Sequence, residues 1–365
     1  MMGHSLEGRV NLAKYRMIDR LLISNFRCFE SLDLTGFSRI NVVVGQNSAG
    51  KTALLEALFF AAGGNPDLLL RMRAFRGIVE GVLQVSRDRA GYESLWREMF
   101  YGLNANSIVS AKIVGSVGQT REIKMSYAKT EAVASFNLNT SEASGIAPLV
   151  FEGIDSSGKK FLYHAEMTDK GISFDSSVGN VAASFFSGMR PPHRETSERF
   201  SILSRRQQVT KLITTVNERF PFIEDLSLEI VGGQTMIYAK VKELSEKIPI
   251  GLVSGGIEKF LNVLLGIASN PKGIVLIDEI DGCVHHSKIS GVWEALRDFA
   301  ETYETQVFIT THSSDWLTSL NRILAKGEQQ FSLLRVETNN DRKHIVRVFP
   351  GDTLADALQQ DMEIR

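Results

Sequence analysis

The chain has 365 residues, of which 43% are hydrophobic and 23% are charged, and this composition is typical of a globular protein with one large or two smaller domains. Its formal net charge of −1 excludes a global field that would attract nucleic acid or an acidic membrane, although a local basic patch stays open. The two cysteines, Cys28 and Cys283, do not have the spacing of metal ligands, and they predict a reducing compartment.

The sequence predicts neither a targeting signal nor a membrane span. The first residues lack the apolar region of a secretory signal, and the most apolar helix candidate, residues 53–62, is too short to cross a membrane. We therefore expect a cytoplasmic protein without a membrane partner. Residues 1–16 predict a flexible extension, because the strand pattern begins only at Met17.

The first predicted elements are a strand pair and a strand–loop–helix unit. Residues 17–34 alternate between apolar and polar side chains, which predicts the strand pair. Residues 39–44 form a short β-branched run that leads into a glycine-containing loop, and residues 53–62 are helical in pattern. A strand before the loop and a helix after it are the context that a phosphate-binding loop requires.

That loop reads GQNSAGKT and matches the pattern G-x-x-x-x-G-K-[ST]. Glycines let successive backbone N–H groups turn towards phosphate oxygens, and the helix dipole adds positive potential there. The pattern predicts that Lys51 approaches the β and γ phosphates of a nucleotide and that Thr52 is a ligand of Mg²⁺. The predicted nucleotide-binding residues are Gly45, Gln46, Asn47, Ser48, Ala49, Gly50, Lys51 and Thr52.

The middle of the chain changes character twice. Short alternating runs over residues 108–174, interrupted by Gly, Ser and Asp, predict an antiparallel sheet. A polar helical pattern follows over residues 195–217. Further on, short apolar strands at residues 274–277 and 306–311 alternate with helices, which predicts a parallel sheet covered on both faces.

A Ser-Gly-Gly sequence stands at the start of the helix that is predicted over residues 257–267. It comprises Ser254, Gly255 and Gly256. A serine in this place is a common helix N-cap, and flexible glycines beside it need no further role. The same backbone also offers N–H groups at a helix N-terminus, where anions bind.

Acidic residues and a histidine follow the two later strands. Asp278 and Glu279 end the strand at residues 274–277 and place two carboxylates at the carboxyl edge of a buried strand. We predict that Asp278 holds the hydration shell of Mg²⁺ and that Glu279 orients or deprotonates the attacking water. His312 directly follows the strand at residues 306–311, within reach of the γ-phosphate or that water; a helix cap is its alternative role.

These four motifs, in this order, resemble those of the ABC-type ATPase heads, which include the structural-maintenance-of-chromosomes (SMC), RecF-like and OLD-type (overcoming lysogenization defect) proteins. Within that group the chain is most similar to the compact AAA-15/AAA-21 class. The segments that carry this similarity are LLISNFRCFESLDL, INVVVGQNSAGKT, LIDEID, FITTHSSDWL and the terminal DALQQDMEIR. The resemblance covers nearly the whole chain from Met17.

The resemblance implies an α/β fold, namely a P-loop NTPase of the ABC-ATPase type. It has a mostly parallel core sheet, an antiparallel β-rich subdomain and a helical signature lobe. We assign residues 17–104 and 270–365 to the core of a single head, residues 105–180 to the strand-rich insertion and residues 185–270 to the helical lobe.

In such heads the Ser-Gly-Gly signature contacts the γ-phosphate bound to a second subunit, and glycine permits the close approach. The resemblance therefore implies that Ser254–Gly256 act in trans and that two heads sandwich ATP in a head-to-tail dimer or higher oligomer. It makes Asp281 the candidate for the dimer-contact loop and Arg27 a candidate near the nucleotide. The resemblance does not place the Mg²⁺-sensing glutamine of these heads in this sequence; the segment SLWREMFYG stands in a plausible region but contains no glutamine.

The resemblance further implies Mg²⁺-dependent ATP hydrolysis that opens the dimer, whereas ATP binding closes it. Because 53 residues follow His312 and contain no Asp-x-Asp cluster, we expect any effector, with a nuclease as one candidate, to be a separate protein. Heads that work beside such an effector often serve in defence against phage.

Two clusters of basic residues keep a second interpretation open, in which a RecF-like or SMC-like ATPase binds DNA directly. The first cluster is Arg71, Arg73 and Arg76. The second is Arg190, His193, Arg194, Arg199, Arg205 and Arg206, interleaved with Glu195 and Glu198. Mixed-sign runs of this kind are also typical of solvated helix faces. A transporter head is a third interpretation, which the first strand pair and the wide spacing between Lys51 and Ser254 do not favour.

Overall fold

The structure is a computed structural model that describes residues 18–63, 66–78, 89–128, 148–168, 171–174, 182–188, 193–324 and 330–351. The expected extension at residues 1–16, the terminal segment DALQQDMEIR and Arg190 lie outside the described residues.

A six-stranded sheet carries the phosphate loop and the acidic pair. With the strand ranges given at the end of this paragraph, the order across the sheet is β16-β15-β3-β14-β13-β9. Each strand is parallel to its neighbours except β16, which is antiparallel to β15. The predicted mostly parallel core sheet is therefore confirmed. Alternate residues of its central strands pack into two different hydrophobic cores, because helices or a second sheet cover each face. The strands are β3 (Ile40–Val44), β9 (Ala183–Phe186), β13 (Ile274–Ile277), β14 (Gln306–Thr310), β15 (Phe331–Thr338) and β16 (His344–Phe349).

A seven-stranded antiparallel sheet covers one side of this core. The predicted strand pair at residues 17–34 forms a hairpin, as expected, and the hairpin continues directly into the strands of the predicted insertion. The order is β2-β1-β4-β5-β6-β7-β8. The strands are β1 (Arg20–Phe26), β2 (Phe29–Thr35), β4 (Val109–Val114), β5 (Thr120–Tyr127), β6 (Leu149–Ile154), β7 (Lys160–Thr168) and β8 (Gly171–Phe174).

Helix α1 (Lys51–Gly63) lies between the two sheets, and every one of its residues except Thr52 is buried. A helix that is apolar on all sides is stable only when it is enclosed, which is why this segment shows no amphipathic stripe. The other helices surround the sheets. They are α2 (Pro66–Phe75), α3 (Arg89–Arg97), α4 (His193–Arg205), α5 (Val209–Arg219), α6 (Ile250–Val253), α7 (Gly255–Ser269), α8 (Ile289–Thr302) and α9 (Ser314–Leu324). Within the described ranges, none of these helices has the length and apolarity needed to cross a bilayer.

The predicted helical lobe is not wholly helical, which corrects the expectation for residues 185–270. Besides α4 to α7 it contains a three-stranded antiparallel sheet, formed by β10 (Ile223–Val231), β11 (Gln234–Val241) and β12 (Ile248–Pro249). Gly232 and Gly233 connect β10 and β11 with positive φ angles of 59° and 77°. A Gly-Gly pair that allows positive φ at both positions of a two-residue turn is a strong hairpin signal, and the expectation of a helical lobe did not take it into account.

One buried amide joins the antiparallel sheet to the parallel core. The side chain of Gln306, at the start of β14, is 1% exposed. Its Oε1 accepts a hydrogen bond from the Ile18 N–H at 2.8 Å, and its Nε2 donates to the carbonyl oxygens of Ile18 at 3.0 Å and Ser38 at 3.1 Å. The residue before β1 and the turn before β3 are therefore held by the same side chain.

We predict that Gln306→Leu destabilises the fold by about 2–3 kcal/mol, because it leaves the buried N–H and carbonyl groups of Ile18 without these hydrogen bonds, whereas the Ser38 carbonyl keeps the one from the Asn41 amide. The measurement is chemical denaturation followed by circular dichroism. The exposed Gln208 is the control, and Gln208→Leu should change the free energy of unfolding by no more than about 0.5 kcal/mol. Equal stability of the two variants would contradict the structural role of Gln306.

Candidate nucleotide site

The phosphate loop is constrained at both of its glycines. Strand β3 is buried along its length and ends at Val44; the chain then turns at Gly45 with a φ of 147° and again at Gly50 with a φ of 108°. A Cβ atom on Gly45 would lie 2.2 Å from the Val336 carbonyl oxygen, and one on Gly50 would lie 2.9 Å from the Cys28 Sγ. Both positions therefore need glycine, for backbone conformation and for space.

Lys51 begins α1 and is 5% exposed. Its ammonium group donates hydrogen bonds to the carbonyl oxygens of Gly45 and Gln46, both at 2.8 Å, so it closes the loop on itself. Burial lowers the pKa of Lys51, and the nearby carboxylates of Asp278, Glu279 and Asp281 partly oppose this shift. A buried cation at the base of such a loop is suited to bind an anion.

Asp278 connects three elements at the edge of the parallel sheet. Its Oδ2 accepts a hydrogen bond from the Thr52 hydroxyl at 2.9 Å, and its Oδ1 accepts one from the Thr310 hydroxyl at 2.7 Å. The phosphate loop, the end of β13 and the end of β14 therefore meet at one carboxylate. A threonine hydroxyl and a carboxylate are hard oxygen donors of the kind that Mg²⁺ prefers, and the binding of Mg²⁺ by Thr52 and Asp278 stays a prediction.

Glu279 follows Asp278 with an unusual backbone conformation. Its φ is 55°, and its N–H donates to the Thr310 hydroxyl at 2.7 Å. Left-handed backbone is uncommon for a residue other than glycine and is often found at functional sites. The Glu279 side chain is exposed and lines the cleft beside the phosphate loop, and its role as a base stays a prediction.

The His312 turn is held by Asp281. The Asp281 carboxylate accepts hydrogen bonds from the Thr311 hydroxyl at 2.5 Å and from the His312 N–H at 2.7 Å. The side chain predicted for a dimer contact thus bonds to its own chain, where it positions the turn that carries His312. The His312 ring is exposed and lines the same cleft as Glu279.

A cleft of about 750 Å³ brings these residues together. Lys51, Thr52, Glu279 and His312 line it, together with Arg27. A smaller cavity of about 410 Å³ adjoins it and is lined by Thr52, Asp278 and Glu279, among others. Clefts of this size hold small-molecule ligands in other proteins.

The Ser-Gly-Gly segment lies apart from this cleft. None of Ser254, Gly255 and Gly256 is among the described residues that line it. Ser254 is the N-cap of α7, since its hydroxyl accepts a hydrogen bond from the Ile257 N–H at 3.4 Å. Ser254 therefore caps α7, which is one of the two roles that the sequence allows. Its contact with the nucleotide of a second subunit stays a prediction.

Gly256 has a reason within its own chain to be glycine. A Cβ atom there would lie 2.1 Å from the Cys283 carbonyl oxygen, so the start of α7 packs directly on the loop that follows the acidic pair. Lys259, one turn later, donates hydrogen bonds to the carbonyl oxygens of Glu279 and Asp281. The resemblance predicts that glycine at position 256 permits close approach to a nucleotide. The structure shows that this glycine also permits α7 to pack closely on the loop after the acidic pair.

Arg27 lies in the wall of the cleft, next to the phosphate loop. Its side chain is 11% exposed, and its guanidinium pairs with Glu56 of α1, with Nε 3.0 Å from Oε2. Burial lowers the pKa of Arg27, while Glu56 opposes that shift. Arg27 therefore lines the cleft and is held there by a buried ion pair, and its contact with a nucleotide stays a prediction.

The cleft includes residues that sequence reasoning did not select. Arg76 and Glu98 line it, and Thr310 supports Asp278 and Glu279 from the next strand. Glu98 lies in the segment SLWREMFYG, and no glutamine is among the described residues of the cleft wall. Thr310 was recognisable from its place directly before the Thr-His of FITTH, whereas Arg76 and Glu98 carry no local signal.

The first basic cluster is ion-paired within the chain, and the second is ion-paired in part. Arg71 pairs with Asp67, Arg73 with Glu98, and Arg76 with Glu56. Arg199 pairs with Glu195 and packs over the Phe186 ring, with the guanidinium carbon 4.7 Å from the ring centre. Arg194 pairs with Glu198, while Arg205 and Arg206 are exposed at the end of α4.

Comparison with known proteins gives matches along most of the chain. The sequence profile of the RecF/RecN/SMC N terminal domain matches residues 17–331. A protein named ATP/GTP phosphatase from Helicobacter pylori is 23% identical over 93% of this chain and 97% of its own length. The DNA replication and repair protein RecF of Acetivibrio thermocellus is 22% identical over 88% of this chain and 80% of its own.

A solved SMC head bound to the C-winged helix domain of ScpA aligns with 94% of this chain and 99% of its own, with 14% identity and a TM-score of 0.48. The profile match and the sheet order agree with the predicted fold class, an α/β P-loop NTPase of the ABC-ATPase type, which is confirmed.

We predict that Gly256→Ala destabilises the protein by roughly 1–3 kcal/mol, because the added methyl group forces α7 away from the Cys283 carbonyl. Gly291→Ala is the control, since a Cβ there meets the Arg219 side chain at ordinary distances, 3.4 Å from Cγ and 3.9 Å from Nε. That control should leave stability unchanged or raise it by up to about 1 kcal/mol, because alanine favours a helix more than glycine does. Thermal denaturation measures both, and a Gly256→Ala protein as stable as the control would contradict this packing.

Proposed function

The chain belongs to the RecF/RecN/SMC N-terminal domain family, and on this basis we propose that it is an ATP-driven switch that controls a separate effector protein. The catalytic part is an ATPase, which converts ATP and water to ADP and phosphate. One observation carries the proposal: Lys51, Thr52, Asp278, Glu279 and His312, which come from three separate parts of the sequence, border two adjoining cavities.

Each of these residues has a task that its position supports. The N–H groups of Gly45–Gly50 and the Lys51 ammonium bind the phosphates. Thr52 and Asp278 would hold Mg²⁺, which would neutralise phosphate charge there. Glu279 orients the attacking water and accepts its proton, and the His312 ring donates a hydrogen bond to the γ-phosphate or to that water. Asp281 keeps the His312 turn in place through two hydrogen bonds.

The proposed switch needs two heads. Ser254–Gly256 stand at the N-terminus of the 15-residue helix α7 and do not line the chain's own cleft, so their helix dipole is available to the nucleotide of another copy. In this proposal ATP holds two copies head to tail, and hydrolysis releases them. A partner protein that binds the ATP-bound pair and the separated heads with different affinities can then respond to ATP hydrolysis.

The finer assignment is also part of the proposal. The resemblance to the AAA-15/AAA-21 class supports a head that works in the cytoplasm beside a separate effector, with a nuclease as the first candidate and anti-phage defence as the process. The two cysteines are both free thiols, which is compatible with a reducing compartment.

We predict that Glu279→Gln binds ATP without turning it over and accumulates as the ATP-bound dimer. The molar mass in solution, measured by light scattering with and without ATP and Mg²⁺, should double on addition of ATP and remain doubled. Wild-type protein should return to the lower mass as ATP is consumed. A mass that does not respond to ATP in either protein would contradict the two-head proposal.

A matched pair of variants tests the role of Ser254 separately from its cap. Aspartate and asparagine both cap helices well, so neither Ser254→Asp nor Ser254→Asn should unfold α7. Only aspartate puts a negative charge next to the phosphate of the second copy. In the Glu279→Gln background, Ser254→Asp should abolish the ATP-driven increase in mass and Ser254→Asn should retain it. Equal assembly of both would leave Ser254 as a helix cap alone.

A second candidate function is an ATPase that binds DNA directly. It is favoured by the similarity to a RecF protein along 88% of the chain and by two exposed arginines, Arg205 and Arg206, that follow the ion-paired part of α4. Phosphate contacts by such residues give binding that weakens steeply with salt.

We predict that Arg205→Ala/Arg206→Ala lowers the affinity for double-stranded DNA by roughly tenfold at low salt, if DNA is the partner. Fluorescence anisotropy with a labelled duplex, with and without ATP, measures this. Arg194→Ala/Glu198→Ala, which removes an ion pair from the same helix without changing the net charge, is the control. Absence of ATP-dependent DNA binding by the wild-type protein would reject this function and leave the effector switch.

A further inference from the structure

The ring of His344, at the start of β16, contacts the phosphate loop from outside the loop. Its Nδ1 lies 2.7 Å from the Ala49 carbonyl oxygen, although the two residues are 295 positions apart in the sequence. Because a carbonyl oxygen can only accept a hydrogen bond, Nδ1 carries the hydrogen and donates it. A side chain from the end of the chain therefore holds a backbone group of the phosphate loop.

The surroundings of the ring keep it in this orientation. The Phe29 ring, which is fully buried, packs edge to face against it, with 6.3 Å between the ring centres and 82° between their planes. A Cβ atom on Gly50 would lie 3.3 Å from the Phe29 Cζ and 3.7 Å from the His344 Nδ1, so both rings lie close to the loop. The neighbouring Lys343 pairs with Glu30 of β2, with Nζ 2.6 Å from Oε2.

The phosphate loop needs such support because its backbone is held in an unusual conformation. Besides its two glycines, Ser48 has a φ of 63°, which is uncommon for a residue with a Cβ atom. The Ala49 N–H donates to the Gln46 carbonyl at 3.2 Å, so this N–H is directed back into the loop. Lys51 binds two carbonyl oxygens in the first half of the loop, and His344 binds one in the second half.

The contact with His344 sets the direction of one peptide group. A trans peptide is planar, and its C=O and N–H bonds point in opposite directions. The described residues contain no cis peptide, so the Gly50 N–H points away from the ring that binds the Ala49 carbonyl. Gly50 lines the nucleotide cleft, whereas neither Ala49 nor His344 is among the described residues that do so. This arrangement puts the Gly50 N–H on the cleft side, where backbone N–H groups of such loops bind phosphate.

We propose that His344 is a positioning residue of the nucleotide site, which fixes the Ala49–Gly50 peptide so that its N–H faces the β-phosphate. This inference rests on the proposed ATPase function and adds a residue that sets nucleotide affinity. A donor at the carbonyl end also polarises the peptide, which makes its N–H a stronger donor to an anion. Because the loop binds the β-phosphate before and during hydrolysis, the contact affects binding rather than the chemical step.

The test uses two substitutions of His344 and one control on the same strand. His344→Leu removes the donor and keeps an apolar side chain, whereas His344→Asn keeps an N–H group at the place of Nδ1. The control is Lys343→Ala, which removes a pair whose side chains are 54% and 50% exposed. Such surface pairs contribute little to stability, so the control disturbs β16 without affecting the contact with Ala49.

Three measurements are made on each protein. Calorimetry gives the Kd of ADP and of the non-hydrolysable analogue AMP-PNP. Steady-state turnover gives kcat and KM for ATP. Hydrogen exchange of the backbone amides at residues 45–52, followed by mass spectrometry in the ligand-free protein, reports the order of the loop itself and is independent of turnover.

For His344→Leu we expect the Kd of ADP and that of AMP-PNP to rise together by roughly fivefold to tenfold, because both ligands carry a β-phosphate and one hydrogen bond is lost. KM for ATP should rise by a similar factor while kcat stays within about threefold. The loop amides should exchange faster. His344→Asn should bind ADP within about twofold of wild type, because it restores the donor. Lys343→Ala should behave as wild type.

Two results would overturn the proposal. If His344→Asn binds ADP as weakly as His344→Leu, the N–H donor is not what matters. If Lys343→Ala weakens ADP as much as His344→Leu does, any disturbance of β16 is sufficient and His344 has no specific role. If His344→Leu does not fold, His344→Phe replaces it, because it keeps a ring against Phe29 and also lacks the donor.

The outcomes separate this inference from the proposed function. If the wild-type protein neither binds nor hydrolyses ATP, the proposed function fails and this inference fails with it. If the wild-type protein is active and folded His344→Leu binds ADP within about twofold of wild type, the proposed function stands and the role of His344 is rejected.

Discussion

The hydrogen bonds of the Asp278 carboxylate are the constraint on which the site depends. One oxygen accepts from Thr52, at the start of α1, and the other accepts from Thr310, at the end of β14. The hydroxyl of Thr310 in turn accepts from the Glu279 N–H. Parallel strands bring β3, β13 and β14 to the same edge, so the phosphate loop, the acidic pair and the His312 turn converge there. A shift of any of these strands would break a hydrogen bond of this carboxylate.

The loop that follows the acidic pair is contacted from two sides. The start of α7 packs on the Cys283 carbonyl through Gly256, and Lys259 binds the carbonyl oxygens of Glu279 and Asp281. On the other side, the Asp281 carboxylate holds Thr311 and His312. The helix that carries the Ser-Gly-Gly sequence and the turn that carries His312 are thus joined through a few residues. Both the packing and the polar contacts of α7 therefore bear on the geometry of the residues expected to perform hydrolysis.

Charge is distributed unequally around the cleft. Asp278, Glu279 and Asp281 form an acidic side at the ends of the strands. The wall that adjoins it has three guanidinium groups, those of Arg27, Arg73 and Arg76, and two carboxylates, Glu56 and Glu98, that pair with them. Lys51 lies between them. This arrangement suits a ligand that carries both phosphate and a divalent cation, because the carboxylates attract the cation and the guanidinium groups attract the phosphate. The chain's net charge of −1 gives no indication of it, because that value sums 41 basic and 42 acidic residues along the whole chain.

The sequence by itself determined the strand–loop–helix unit at residues 40–63, the acidic pair at the end of β13 and the class of fold, because each depends on residues that are neighbours in the chain. It also contained the Gly232–Gly233 turn signal of the hairpin that interrupts the predicted helical lobe. Only the tertiary structure decided that Arg76 shares Glu56 with Arg27, that Asp281 holds the His312 turn, and that Gly256 packs on Cys283. These partners are 20 to 31 positions apart in sequence. Their contact follows from how strands and helices pack, and no local propensity records it.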